Sequence, residues 1–247
     1  MLLPREGRTA ISRFKTAPSS STIVPNSKQV DRLDAWEQIG TRRCFNGGEE
    51  IYSDGDAADS SYRVVSGTVR ICKLLTDGRR HISKFCFAGD CFGWSAVAGH
   101  AASAEAVDHV VVMRYPQRAV KCLIEGEPRL LRDLYDRTLH ELGAVQHRMM
   151  LLGRMTAAER VASFLIEISD RRHTCNAVDL PMTRTDIADY LGLTIETVCR
   201  ELSKFRRDGI IASAKPRTDR ILLRDRAALE AICDSDAHDH WVGAAAA

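Results

Sequence analysis

The chain carries 247 residues, 45% of them hydrophobic, with a formal net charge of +2. That supplies apolar material for one or two cores and excludes a polycation that coats nucleic acid through bulk charge. No apolar run reaches membrane-spanning length, no secretory leader opens the chain, and the 8 cysteines are dispersed without a C-x-x-C, the usage of a cytoplasmic protein rather than a disulfide framework.

Residues 1–27 mix Ser, Thr and Pro without periodicity and read as a flexible arm, in which basic residues outnumber the single acid, Glu6. From Cys44 to Tyr115 the texture changes to short apolar runs: E-E-I-Y, S-S-Y-R-V-V, G-T-V-R-I-C-K-L-L, H-I-S-K-F-C-F and H-V-V-V-M-R-Y. Turn signals N-G-G, D-G-D, S-G, D-G-R and A-G-D separate them. Evenly spaced short strands between Gly and Asp turns predict an antiparallel barrel or jelly roll, placed over residues 28–127. Asp77-Gly78 is the strongest hairpin signal within it.

Pro128 opens the longest helical stretch, expected over residues 128–153. Leu131, Tyr135, Thr138, Leu142, Val145, Met149 and Leu152 recur at alternating spacings of four and three. Such a 3.5-residue repeat marks a coiled-coil seam, about 40 Å long at ~1.5 Å per residue. A seam of that length needs a partner, and an identical chain is the simplest one. The plainer reading is a helix packed on its own barrel. Thr138 is the seam's polar member and a candidate for setting its register.

Residues 154–235 are predicted to form a winged helix-turn-helix, followed by a tail over residues 236–247. A capping box from Thr156 to Glu159 starts a helix that buries Val161, Phe164, Leu165 and Ile168. The next helix presents Ile187, Ala188 and Leu191, and Gly192 supplies a turn. Thr194 then stands at an N-cap position, and Val198, Leu202 and Phe205 share one face of the second helix. G-I-I-A-S-A and R-I-L-L-R-D form two wing strands around K-P-R-T-D, and R-A-A-L-E-A-I closes the module as a helix.

The face of the second helix opposite Val198 carries the chemistry. Ile195, Glu196, Cys199 and Arg200 are the candidates for reading DNA bases. An arginine fork matches guanine O6 and N7, a glutamate accepts from the cytosine amino group, and an aliphatic side chain packs on the thymine methyl. Glu196 and Arg200 stand four apart, so the plain alternative is an exposed i,i+4 ion pair. Nine basic residues lie between Arg200 and Arg226 (200, 204, 206, 207, 215, 217, 220, 224 and 226) against four acidic ones (201, 208, 219 and 225). That local excess is the footprint of phosphate binding. Thr183, Thr185, Lys204, Arg207 and Arg217 are the phosphate candidates, each with ordinary surface polarity as the alternative. Cys199 is an exposed thiol among basic residues. It reads either as a small polar substitute or as a redox switch whose oxidation sets bulk or charge against the DNA.

The motifs G-G-E-E-I-Y-S-D-G-D, Y-R-V-V-S-G-T-V-R-I and G-D-C-F-G in the barrel resemble those of the CRP/FNR superfamily of bacterial transcription regulators. So do L-L-G-R-M-T-A-A-E-R-V-A-S-F-L and L-G-L-T-I-E-T-V-C-R in the C-terminal module, over residues 44–233. Within that superfamily they look most like the FixK subgroup of nitrogen-fixation and microaerobic regulators. The resemblance implies an α+β fold: an N-terminal β-roll, a long dimerisation helix and a winged helix-turn-helix. It further implies a homodimer, a palindrome of TTGA-type half-sites and a contact with RNA polymerase.

Departures from the pattern remove the superfamily's usual signals. No cysteine precedes Cys44, so an N-terminal iron–sulfur cluster lacks ligands at its place. Where cyclic-AMP receptors carry G-E-L and Arg-Ser, this chain reads Gly93-Trp94-Ser95 and Ala102-Ser103. A buried phosphate without that arginine is an unpaired charge, costing on the order of several kcal/mol. Gly93 and Ser95 also stand where carbon-monoxide sensors place haem ligands. The expectation is therefore a regulator with no cofactor and no metal. A barrel gated by an unidentified small molecule is the alternative. A metal oxygenase of the cupin type is disfavoured, because His81, His100 and His109 are scattered and lack an H-x-H.

Overall fold

The structure, a computed structural model, describes residues 36–95, 97–172, 174, 176–213 and 220–234. The expected arm and tail lie outside the described residues.

The five apolar runs of the N-terminal half become strands, and three further strands join them. The strands are β1 (Thr41–Phe45), β2 (Glu50–Tyr52), β3 (Ser60–Ser66), β4 (Val69–Leu74), β5 (Arg80–Cys86), β6 (Cys91–Phe92), β7 (Ser103–Ala106) and β8 (Val110–Pro116). They pair antiparallel in two four-stranded sheets of order β1-β8-β3-β6 and β2-β7-β4-β5. Sequence patterning misses β1, β6 and β7. The run S-A-E-A of β7 has little strand propensity, but Ala104 and Ala106 are fully buried between β2 and β4, where larger side chains have no room. The Asp77-Gly78 hairpin forms as a three-residue loop. Leu75 and Arg79 close it (N–H to C=O, 2.8 Å) and Gly78 takes the left-handed conformation, φ 83°.

Two apolar clusters form the core. Inside the roll, Tyr52, Tyr62, Val64, Val69, Phe92 and Val112 pack together. The second cluster joins Ile82, Phe85 and Phe87 of the roll to Phe164, Ile168, Tyr190 and Leu202 of the C-terminal module. The two halves of the chain thus share a core. Each such side chain contributes about 1.5–3 kcal/mol on burial.

Helix α1 (Gln117–Gly126), not anticipated from sequence, leads into α2 (Pro128–Arg154), which spans the expected helix. Among its described side chains only Leu130, near its start, is buried against the protein, at 2% exposure. Leu131, Tyr135, Leu142, Val145 and Met149 are all exposed, and so is Leu139. Leu139 was not among the expected seam residues, although it lies four after Tyr135 and three before Leu142. Thr138 donates its hydroxyl proton back to Leu134 C=O at 2.8 Å, as an intrahelical bond. The side chain of Leu152 lies outside the described ones.

Helix α3 (Ala157–Arg171) starts on the Thr156/Glu159 capping box and buries Val161, Phe164, Leu165 and Ile168. Strand β9 (Ala177–Asp179), also missed in the sequence, precedes α4 (Arg184–Leu191) and α5 (Ile195–Arg207). Strands β10 (Ile211–Ser213) and β11 (Arg220–Leu223) form the wing in the order β10-β11-β9, and α6 (Arg226–Asp234) closes the module.

Candidate nucleic-acid interface

Helices α4 and α5 meet at a turn built by local chemistry. Thr183 caps α4, accepting from Asp186 N–H while Asp186 accepts from Thr183 N–H, a reciprocal box. Gly192 ends α4 in the left-handed conformation, φ 62° and ψ 39°, with the N–H groups of Gly192 and Leu193 both donating to Ala188 C=O. Thr194 caps α5 through its hydroxyl to Thr197 N–H. Ala188, Val198, Leu202 and Phe205 are buried at the helix contact, leaving one face of α5 to solvent.

That face holds the expected reading residues. Ile195, Glu196, Cys199 and Arg200 are exposed, with Ser203 beside them. The i,i+4 pairing of Glu196 with Arg200 does not form. Arg200 instead makes a loose contact with Glu201 (Nε–Oε1 3.4 Å) with its own side chain 67% exposed. Glu196 is held below the usual carboxylate range by its own backbone N–H and the Thr194 hydroxyl. It is therefore an ionised acceptor at neutral pH, while Arg200 is a donor with its fork available.

The basic excess is unevenly distributed. Arg226 is held by Asp170 and Glu230, and Arg220 contacts Asp179 at 3.6 Å. Among the described residues, Lys204, Arg206, Arg207 and Arg224 have no acidic partner, and three of these close the last turn of α5. Thr183 and Thr185 are exposed at the start of α4, but the Thr183 hydroxyl already donates to Asp186 at 2.9 Å. Lys215 and Arg217 lie outside the described residues.

Sequence reasoning did not find what fixes this face relative to the rest of the molecule. Asp186, only 1% exposed, receives Arg70 of β4 and Arg80 of β5, and Arg80 also binds Asp189. Arg148, on α2 between Val145 and Met149, lies 4.2 Å over the Tyr190 ring. It donates to Ser83 C=O (2.6 Å) and to Glu167 (3.3 Å). One guanidinium thus ties the long helix to the roll and to both α3 and α4. The partners lie far apart in sequence, so no local pattern could have shown them.

The loop over Gly93–Ser95 holds no charged side chain. The Tyr62 ring packs against Gly93 so closely that a Cβ there would stand 2.8 Å from it. Trp94 is 38% exposed, and the Ser95 hydroxyl is bonded to the carbonyls of Val97 and Gly99. Neither this loop nor Ala102 offers a carboxylate for a ribose or a cation for a phosphate, so the residues present do not fit a cyclic nucleotide. His81, His100 and His109 do not converge, and among the described residues no three metal-ligating side chains gather. No described helix is long and apolar enough to cross a membrane.

A β-roll carrying a long helix and a winged helix-turn-helix with an exposed, base-rimmed second helix defines a DNA-binding regulator. Residues 42–127 match the cyclic nucleotide-binding domain family, and residues 159–232 match the Crp-like helix-turn-helix domain family. The chain is 44% identical over 196 residues to the nitrogen fixation regulation protein FixK of Azorhizobium caulinodans, covering 77% of this chain and 78% of that one. It is 37% identical to the transcriptional activatory protein AadR of Rhodopseudomonas palustris, over 72% of this chain and 76% of that one. The structure of FixK2 from Bradyrhizobium japonicum superposes with a TM-score of 0.74 at 39% identity, covering 78% of this chain and 97% of that one. The chain belongs to the CRP/FNR family of transcription regulators and is FixK-like. Regulators of this family bind DNA and typically act as dimers.

Proposed function

We propose that this protein is a homodimeric transcription activator that reads a TTGA-N6-TCAA-like palindrome and controls microaerobic or nitrogen-fixation genes in the cytoplasm. The observation that carries the reading is the exposed row Ile195, Glu196, Cys199 and Arg200 on a helix whose opposite face is wholly buried. Arg200 binds guanine, Glu196 accepts from cytosine and Ile195 packs on thymine. Thr185, Lys204, Arg207 and Arg217 hold phosphates and set the register, and Thr183 acts mainly as the cap that presents them. The exposed stripe from Leu131 to Met149, with Leu152 continuing the spacing, joins two copies. The dimer's two-fold then matches the two-fold of the palindrome. In this reading the chain divides into an arm over 1–27, the roll over 28–127, the dimer helix over 128–153, the winged module over 154–235 and a tail over 236–247. RNA polymerase is the expected protein partner.

The reading assigns no cyclic nucleotide and no iron–sulfur cluster. It is supported by Tyr62 packed on Gly93, by Ala102 in place of a cation, and by the absence of cysteine before Cys44. Control then falls to expression, turnover or the Cys199 thiol, which is exposed in the middle of the reading face. A gel shift of the purified protein on the palindrome, with and without reductant, tests the proposal. Binding without added ligand is expected, and Arg200→Ala should weaken it by about 1–3 kcal/mol. Peroxide should weaken wild type but not Cys199→Ala; equal sensitivity of the two would remove the thiol from the account. A second reading, in which a small molecule in the roll gates DNA binding, is favoured by one observation. An open cavity of about 600 Å³ lies between the roll's sheets and loops.

A further inference from the structure

We propose that Arg70 and Arg80 of the β-roll are positioning residues for DNA reading: they clamp α4, and through it α5, in one orientation on the roll. The inference rests on the DNA reading above and adds what aims the reading face.

Strand register puts Arg70 on the side of the roll that meets the C-terminal module. It stands opposite Phe85 across β4–β5 and opposite Glu105 across β4–β7, and residues so paired share a face of the sheet. Phe85 is 1% exposed and packs on Tyr190 of α4, with ring centroids 5.1 Å apart. Arg70 divides its guanidinium between Glu105, at 2.6 Å, and Asp186 Oδ1, at 3.1 Å. Arg80 reaches Asp186 Oδ1 at 2.5 Å and Asp189 Oδ2 at 2.8 Å. The other Asp186 oxygen, Oδ2, accepts from the N–H and the hydroxyl of Thr183. One carboxylate therefore both starts α4 and fastens it to the roll.

Ion pairs this deeply buried are a poor source of net stability, since desolvation offsets much of the attraction. What they supply is geometry, because a planar guanidinium shared between two carboxylates is satisfied in few arrangements. A second fastening removes the rotation that a single one would leave. Arg171, in the last turn of α3, donates to Phe85 C=O at 3.1 Å and to Asp90 of the roll, and its guanidinium lies 4.9 Å over the Phe87 ring. Anchors on two different helices, together with the shared core of Ile82, Phe85 and Phe87, hold the module and the roll as one body. Since α4 and α5 are joined through buried Ala188, Val198 and Leu202, the direction of the exposed face of α5 follows from the clamp. In a two-fold dimer that direction fixes the separation of the two reading helices, and with it the spacer of the palindrome. The clamp consists of the chain's own side chains, so it is set without a ligand.

The test is a competition gel shift with the full-length protein on three duplexes: TTGA-N6-TCAA, the same palindrome with a seven-base spacer, and a six-base palindrome with the half-site guanine replaced. Ratios of affinity are read, so a change in the folded fraction cancels. In Arg70→Gln/Arg80→Gln the preference for six bases over seven should fall about tenfold, while discrimination against the replaced guanine keeps its wild-type ratio. Arg80→Gln alone leaves Arg70 on Asp186, and its spacer preference should fall about threefold, with circular dichroism showing native content. A folded variant of either kind with wild-type spacer preference overturns the proposal. So does a joint fall of spacer preference and guanine discrimination, because the arginines then act on the folding of the reading helix itself. An Arg80→Gln protein that fails to fold overturns it as well, since the arginine then serves stability. Wild type that binds no palindrome brings down the DNA reading and the proposal together; wild type that binds beside unaltered variants brings down the proposal alone.

Discussion

Replacing Asp186 by alanine should be among the most damaging single changes in the molecule, although the residue is not on the reading face. Its carboxylate is 1% exposed and receives four donors: Thr183 N–H, the Thr183 hydroxyl, Arg70 and Arg80. Loss of the reciprocal cap costs about 1 kcal/mol. Removing one partner of a buried ion pair costs about 3–5 kcal/mol. The lower end applies here, because Arg70 keeps Glu105 and Arg80 keeps Asp189. The sum is about 4 kcal/mol, a large part of a typical stability of roughly 5–15 kcal/mol. Asp186→Asn keeps an oxygen for the cap and forfeits only the charge, so about half that loss is expected. Urea unfolding followed by circular dichroism measures both variants, and gel shift at low temperature reads the surviving operator affinity. An Asp186→Ala variant within about 1 kcal/mol of wild type would show that the cap and the two arginines are incidental, and the account of how the roll holds α4 would fall.

Three further outcomes follow from the geometry. Leu142→Glu sets a charge in the exposed seam stripe, at a cost on the order of several kcal/mol in a packed interface; sedimentation should show monomer, and operator binding should fail. A Leu142→Glu protein that still sediments as a dimer would move the interface elsewhere. Arg148→Met removes the group that joins α2 to Ser83, Glu167 and Tyr190, and preference for a six-base spacer over a seven-base one should fall by about 0.5–2 kcal/mol. Competition gel shifts with the two spacers measure it, and unchanged selectivity would refute the coupling. His100 lies below the ordinary imidazole value of 6.5 because burial disfavours its charged form, with Asp56 and Asp59 opposing more weakly. A depressed histidine binds its proton more readily unfolded, so stability should decline as pH falls below about 6.5 and level off below the folded value. The urea midpoint of wild type should therefore drop more between neutral and acidic pH than that of His100→Phe, and parallel profiles would exclude the residue as the cause.

The second helix of the helix-turn-helix was legible because its signals are local. A cap at Thr194, a turn at Gly192 and a buried face through Val198, Leu202 and Phe205 depend on residues within one or two turns of each other. The roll's longer strands were legible for the same reason, through apolar runs set between glycine turns. Strand β7 was not, because Ala104 and Ala106 are strand residues only by virtue of the space left between β2 and β4. At Thr138 the hydroxyl is spent on the helix's own backbone, and Leu139, beside the expected seam, adds to the exposed stripe.

The sequence by itself determined a helix with one apolar and one polar, charged face, a roll whose Gly93–Ser95 and Ala102–Ser103 stretches carry no charged side chain, and a long apolar stripe on the longest helix. Tertiary structure alone decided which arginines are taken up in ion pairs, since Asp170 and Asp179 reach Arg226 and Arg220 from other elements. It alone brought Arg70 and Arg80 to Asp186, and Tyr52 to His100. These pairings close loops of tens of residues, and the free energy that selects them comes from burial shared across the whole fold rather than from any local preference.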